Sequence, residues 1–536
     1  MPGPALFGLL AALLLPGALF PAAAAEPRTL TYSWPSNVGP LNPHLYAPNQ
    51  MFAQAMVYEP LVRYGPGGRI VPWLAETWEV SGDGRAYTFR LRHGVRFSDG
   101  TPFDADAVKR NIEAVLAAPE RHGWLELVAQ IEGADALDPL TLRLRLKQPY
   151  QPALQELALV RPLRFLSPAA MPEDGNTARG IKAPVGTGPW VLAETRRGEY
   201  DLFVRNDHYW GERPRFDRVL VKVIPDPNSR LLAFEAGELD LIYGSGDSQI
   251  GPDSFRRFAE SGRWRTALSE PLATRTLTLN GSDGPTAELD VRRAIQRAVN
   301  RPLLLRAVLE GMEHPAEALF APNLPYADLG LTAPPHDPAA AMALLEGSGW
   351  AATPGRPYRE KDGRELAVEL CFIGNDPQQK AVAEVVQSDL KRVGIRALLV
   401  GEEANAIAER MRTGRFGMVF ADSWGAPYDP HSFLGSMRVP SHADYQAQRA
   451  LPMKAEIDAG IGRALVSSDE AERKSLYRKV LTTLHEQAIY LPLSHMAGSF
   501  VHGANVTGVR FGWTMYEIPF EAMDKVEGKA PGDGTP

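Results

Sequence analysis

Residues 436–446 read SMRVPSHADYQ, a polar segment broken by Pro440 that carries one imidazole, His442, with Asp444 as its one nearby carboxylate and no second His or Cys. A single imidazole cannot close the coordination shell of a transition metal. If His442 meets such an ion, the other donors must come from distant parts of the fold or from a small chelator that arrives with the metal. The alternative is a solvated loop histidine without a ligand role. Sequence patterns for other chemistry are missing: there is no HExxH, no G-x-S-x-G, no G-x-x-x-x-G-K-[ST], and no G-x-G-x-x-G after a strand. An enzyme therefore has little support, although 64 carboxylates leave acid and base pairs that only folding could assemble.

Residues 6–20 are apolar and rich in Leu and Ala, and the small-residue run 22–25 precedes Glu26. This is the pattern of a secretory signal with an A-x-A cleavage site, although the leading MPGPA has no Lys or Arg. The stretch is too short and Pro-broken to span a bilayer well. No Cys near the cleavage site offers a lipid-attachment thiol, and nothing downstream resembles a transmembrane helix. The expectation is a signal peptide over residues 1–25 and a soluble, exported protein. The remaining chain, about 510 residues, is two or three times the usual domain size and should divide into lobes with a cleft between them. The single thiol, Cys371 in LAVELCFIG, permits no intrachain disulfide or cysteine cluster and reads as a small core residue. A net charge of −7 and a pI near 6.0 give no basic footprint for nucleic acid.

The elements that must position any site are legible as periodicities. Tyr87, Phe89 and Leu91 alternate with polar residues, as do Leu140, Leu142, Leu144 and Leu146, so each set predicts a strand with one buried face. Over residues 366–400 a strand-like run gives way to Val382, Val385, Val386, Leu390 and Val393 at helical spacing, then Gly394 and IRALLV. This is a βαβ unit and implies a parallel pair. Asp290 is suited to cap a helix with the apolar face Val291, Ala294, Ile295, Ala298 and Val299, and Asp337-Pro338 opens another that stops near Gly347. The second half thus reads as an α/β lobe, and the first half as richer in strands and loops.

Several segments carry information jointly: WPSNVGPLNPHLYAPNQMFAQAMVYEPLVRY, VPWLAETWEVSGDGRAYTFRLRHGVRFSDGTPFDADAV, GTGPW at Gly186, and YDLFVRNDHYWGERP. In this order they resemble the family 5 solute-binding proteins of ABC importers, the peptide and nickel binders, over nearly the whole exported chain. Three pieces resemble the nickel-binding members in particular: VGPLNPHLYAPNQMFAQ, RHGWLEL with LQELALVRPLRF, and FADSWGAPYDPHSFLGSMRVPSHADYQAQ. The resemblance implies an α/β, two-lobed periplasmic-binding-protein fold of type II, with hinge strands and a ligand cleft. It also implies a periplasmic receptor, a monomer without catalytic cofactor, that hands a nickel complex of a small organic chelator such as free histidine to permease subunits and their ATPases. The implied limits are a first lobe over 26–271 joined by 497–527, a second lobe over 272–496, and a disordered tail over 528–536.

Carried over residue by residue, the resemblance makes His442 the metal ligand and Arg121 and Arg161 the grips on chelator carboxylates. Guanidinium suits that task, being always charged and forked. Trp124, Trp424 and Tyr428 correspond to pocket aromatics, and Tyr46 and Met51 to first-lobe residues near the metal complex, each with ordinary core packing as its alternative. Two positions depart from the family pattern: Ala408 stands where a pocket tyrosine is expected, and Tyr516 replaces a small hydroxyl residue before EIPF. They keep open a peptide ligand or another chelate, of cobalt or zinc. His44 and His431 read as structural, donating to nearby carbonyls in Pro-bounded turns.

Overall fold

The computed structural model describes residues 26–46, 50–245 and 249–526; the expected signal peptide, residues 1–25, and tail, residues 528–536, lie outside them. The alternating patterns become strands with one buried face: Tyr87, Phe89 and Leu91 in Ala86–Leu91, and Leu142, Leu144 and Leu146 in Thr141–Leu146, are all buried. These strands pair antiparallel and, flanked by Ala75–Val80 and Ile131–Asp138, make a four-stranded sheet. The helix Ala105–Leu116 packs on it, capped by Asp104, whose carboxylate accepts from Ala107 N at 2.8 Å.

A second four-stranded sheet runs in the order Thr29–Trp34, Arg218–Val223, Tyr200–Arg205, Trp190–Arg196, with the first pair parallel. The GTGPW segment leads into Trp190 and explains its own glycines. Gly188 N donates to Val57 O at 2.9 Å. A Cβ on Gly188 would stand 2.5 Å from Met56 O, and one on Gly186 would overlap Val57 O. Two backbones meet here at a distance only glycine allows. Gly186→Ala should therefore cost about 1 to 3 kcal/mol of stability, since the obstacle is main chain and cannot rotate away. A urea melt with an unchanged midpoint would show that the end of the helix Met51–Val57 yields freely.

The βαβ unit is present. Ala367–Ile373 and Arg396–Glu402 are parallel neighbours, and the connecting helix Pro377–Arg392 buries Val382, Val386 and Leu390. They edge a six-stranded sheet that continues through Met418–Phe420, Ala273–Leu279 and Tyr490–Met496 to His314–Pro315, with Cys371 buried inside. Asp337 caps Pro338–Gly347, accepting from Ala340 N at 2.9 Å. Asp290 does not cap its helix. The turn Pro285–Ala287 feeds directly into Leu289–Ala298, so Glu288 takes the N-cap position and Asp290 falls in the first turn, where its charge complements the helix dipole.

The chain passes from the sheet of Arg265–Leu268 to the six-stranded sheet at Ala273–Leu279, and leaves that sheet again between Tyr490–Met496 and Gly498–His502. The crossings lie side by side, with Ser269 N donating to Gly498 O and Leu272 N to Met496 O, each at 2.9 Å. Gly498–His502 then pairs with both Leu241–Ser245 and Arg265–Leu268. The final described segment returns to the first half, where Phe520 and Met523 share a core with Tyr32 and Phe52. Away from the crossings the halves also touch. Ser432 Oγ donates to Glu156 Oε1 at 2.8 Å, and Gln151 N to Leu465 O at 2.8 Å. Burial pushes the Glu156 carboxyl up to about 7, against three hydrogen bonds, from Tyr150, Leu127 and Ser432, that favour its charged form.

Candidate functional site: an aromatic cleft with one imidazole

Between the halves lies a cleft of about 570 Å³. The first half contributes Tyr46, Trp124 and Arg161. Arg161, only 8 % exposed, donates from Nη1 to Tyr46 O at 2.8 Å and holds its guanidinium carbon 5.1 Å from the Tyr46 ring centre. Burial lowers the Arg161 pKa, but a guanidinium keeps its charge at neutral pH, so this wall is cationic. The Tyr46 hydroxyl meets His122 Nδ1 at 2.6 Å. Burial holds His122 down to about 4, so the imidazole is neutral, and Tyr46 can donate to its lone pair. Trp124 stands edge-on to Tyr46, ring centres 5.5 Å apart.

The second half contributes the loop that follows Met418–Phe420. Asp429 ties it together, accepting from Trp424 N at 3.2 Å and Gly425 N at 2.9 Å. Gly425 has φ +77°, and a Cβ there would stand 2.9 Å from Leu272 O, so glycine is needed for both the turn and the close approach. The turn presents Trp424 and Tyr428 to Trp124 across the cleft, at ring separations of 6.3 and 6.0 Å.

His442 occupies the N-cap position of the short helix Ala443–Gln448, with extended backbone and no capping bond from its side chain. Its ring lies 5.7 Å from Trp424, inclined at 46°. Burial lowers its pKa, which keeps a nitrogen lone pair available at neutral pH. Asp444, two residues on, turns away. It accepts from Tyr490 OH at 2.7 Å, and burial pushes its carboxyl up to about 6. Among the described residues no three His, Cys, Asp or Glu side chains gather as a metal site. The arrangement suits a ligand that is flat, bears a negative charge and leaves one position open to imidazole. Among the described residues, no imidazole lines the clefts of about 390 Å³ beside Tyr326 and 380 Å³ beside Met453.

Residues 69–445 match the family of bacterial extracellular solute-binding proteins, family 5. The chain belongs to this family. The nickel-binding periplasmic protein of Escherichia coli K12 is 49% identical over 514 residues, 96% of this chain and 98% of that protein. NikA from Brucella suis, solved in complex with Fe(III)-EDTA, is 55% identical and superimposes with a TM-score of 0.91 over 93% of this chain and 100% of that one. NikZ from Campylobacter jejuni in complex with Ni(L-His), 21% identical, shares the fold with a TM-score of 0.76 over 93% of this chain and 99% of that one. The mixed α/β, two-lobed architecture is the family's. No helix of the described residues is long and apolar enough to cross a membrane.

In this family 5 solute-binding protein, six of the eight residues expected at the site line one cleft: Tyr46, Trp124, Arg161, Trp424, Tyr428 and His442. Met51 and Arg121 do not line it. Met51 opens the helix Met51–Val57, and Arg121 is exposed on the short helix Pro119–His122, close enough for its charge to act on Tyr46 and His122. Ala408 is exposed on Ala404–Thr413 and does not line the cleft either, so the cleft wall does not depend on it. His44 and His431 are buried, as structural residues should be, but they pair with hydroxyls rather than carbonyls: Thr177 Oγ1 at 2.9 Å and Tyr477 OH at 2.7 Å. Sequence reasoning missed His122 and the wall residue Asp422, whose carboxyl burial pushes up to about 6. Both sit inside the quoted RHGWLEL and FADSWGAPYDP segments, which were the available signal.

Proposed function

We propose that this solute-binding protein captures nickel as a complex with a small organic chelator, such as free histidine, and delivers it to the transmembrane subunits of an ABC permease and their ATPases. The observation that carries this reading is the half-buried His442 imidazole on the wall of an aromatic cleft that, among the described residues, is lined by no other His and by no Cys. The 49% identity to the Escherichia coli nickel-binding protein supports it. The chelator fills most of the coordination shell, and His442 adds a final nitrogen donor, to which nickel is well suited. Arg161 takes a chelator carboxylate, while the aromatic walls cover the flat faces and exclude water. Arg121 acts through its charge from the helix Pro119–His122 beside Tyr46, and Met51 from the start of the helix Met51–Val57, both behind the lining residues. The lobes, 26–271 with 497–527 and 272–496, close about the paired crossings. Residues 1–25 direct export to the periplasm and are removed, and the receptor works as a monomer without catalysis.

Calorimetry at neutral pH tests this. Nickel with L-histidine should bind one complex per chain, and nickel or histidine alone should bind far more weakly. Equal affinity for free nickel, or for a short peptide, would refute it, and a stronger response to cobalt or zinc complexes would move the assignment to those metals.

A pH series isolates the imidazole. Protons and metal compete for the same lone pair, so affinity holds while His442 is neutral and falls about tenfold per pH unit below its pKa. Because burial lowers that pKa, the fall begins below the ordinary imidazole range. The His442→Ala protein shares the titrations of the chelator and of the wall carboxyl Asp422 but should lack this additional slope. Parallel curves for the two proteins would remove His442 from the coordination shell.

A further inference from the structure

Tyr516 reaches the cleft from a segment that cannot readily move. Its neighbour Glu517 accepts from the buried Arg164 at 3.1 Å and lies 3.7 Å from Arg63, and Gly512 N donates to Tyr243 OH at 3.2 Å. Ile518 and Phe520 are buried in the first-half core just beyond. From this anchored base the Tyr516 hydroxyl donates to Trp424 O at 3.1 Å on the opposite half, and its ring stands edge-on to Tyr428, with centres 6.0 Å apart at 87°. The same ring shares the cleft wall with Arg161.

We infer that Tyr516 sets the size limit on the cargo: its ring occupies the part of the cleft beside Arg161 and Tyr428, and so favours compact chelates, of single amino-acid type, over bulky polycarboxylate ones. This rests on the nickel-chelate reading and adds to it which chelator class fits. Ring and hydroxyl have separable parts. The ring takes up space next to the cationic wall, where a larger anionic ligand would need to extend its additional carboxylates. The hydroxyl ties the Trp424 backbone to the first half and thereby steadies the indole that stands beside His442.

Titration calorimetry of the full chain with nickel–L-histidine and with nickel–EDTA separates these parts. Tyr516→Ala should raise the ratio of EDTA-complex to histidine-complex affinity at least tenfold over wild type. Tyr516→Phe keeps the ring, so its ratio should stay within about twofold, while both affinities drop about fivefold through loss of one hydrogen bond. If the alanine protein does not fold, Tyr516→Leu, which shortens the side chain but keeps an apolar contact for Tyr428, should raise the ratio about threefold. An unchanged ratio in the folded small-residue variant overturns the inference, because a merely structural tyrosine would weaken both complexes together. A wild-type protein that takes up neither complex would sink the nickel-chelate reading and this inference with it. Binding in wild type with an unchanged ratio in the variant would overturn the inference alone.

Discussion

His442→Ala should lower affinity for the nickel–histidine complex about 100-fold, roughly 2.7 kcal/mol, and leave the fold intact. The large effect follows from His442 being the single imidazole, with no Cys, on the cleft wall among the described residues, while the His122 ring beyond Tyr46 is engaged with the Tyr46 hydroxyl. The small effect on folding follows from what the side chain does without cargo. It makes no capping bond, is only half-buried, and contacts Trp424 at 5.7 Å between ring centres. A surface-like truncation of this kind changes stability by about 1 kcal/mol or less. Calorimetry and a urea melt on the same preparation check both halves of the expectation. An isotherm identical to wild type would remove His442 from the site, and a collapsed melting curve would make it a structural residue.

The two arginines should behave unequally. Arg161→Gln is expected to weaken carboxylate-bearing nickel complexes about 100-fold, since a buried guanidinium can offer two charge-assisted hydrogen bonds worth about 1.5 to 3 kcal/mol each before desolvation. Arg121→Gln should cost only a few-fold, because exposed charge is screened by solvent and salt. The double variant should lose its preference for carboxylate chelators over a neutral one such as imidazole. Arg161 also donates to Tyr46 O at 2.8 Å, so a general loosening of the wall must be distinguished from a lost anion contact. Nickel–imidazole serves that purpose: its affinity should be little changed in Arg161→Gln, whereas loosening would weaken it in parallel. Arg161→Lys, which keeps the charge without the fork, should recover part of the loss.

Much of the scaffold was legible because burial imposes a period. One-faced strands such as Ala86–Leu91 and the Val382, Val386, Leu390 helix face declare themselves in a window of a few residues. Helix starts are less secure. Asp290 has the chemistry of a cap, yet the turn before it set the first helical residue elsewhere. Direction was the hardest property to read. Asp444 adjoins His442 in the chain, but the helix that begins at Ala443 points its carboxylate at Tyr490 and leaves the imidazole facing Trp424. Arg121 and Arg161 read alike as arginines, and only folding exposes one and buries the other. The contact from Tyr516 to Trp424 joins segments 92 positions apart, and no local pattern encodes such a meeting.

The most direct test is a crystal structure grown with nickel and L-histidine, with anomalous difference density recorded at the nickel edge. One peak is expected in the cleft, within coordination distance of a His442 ring nitrogen, with the chelator's carboxylate on Arg161 and its flat face against Trp124, Trp424 or Tyr428. A cleft without a peak, or a bound complex with the His442 ring turned away to bulk solvent, would contradict capture of a chelated metal by this imidazole.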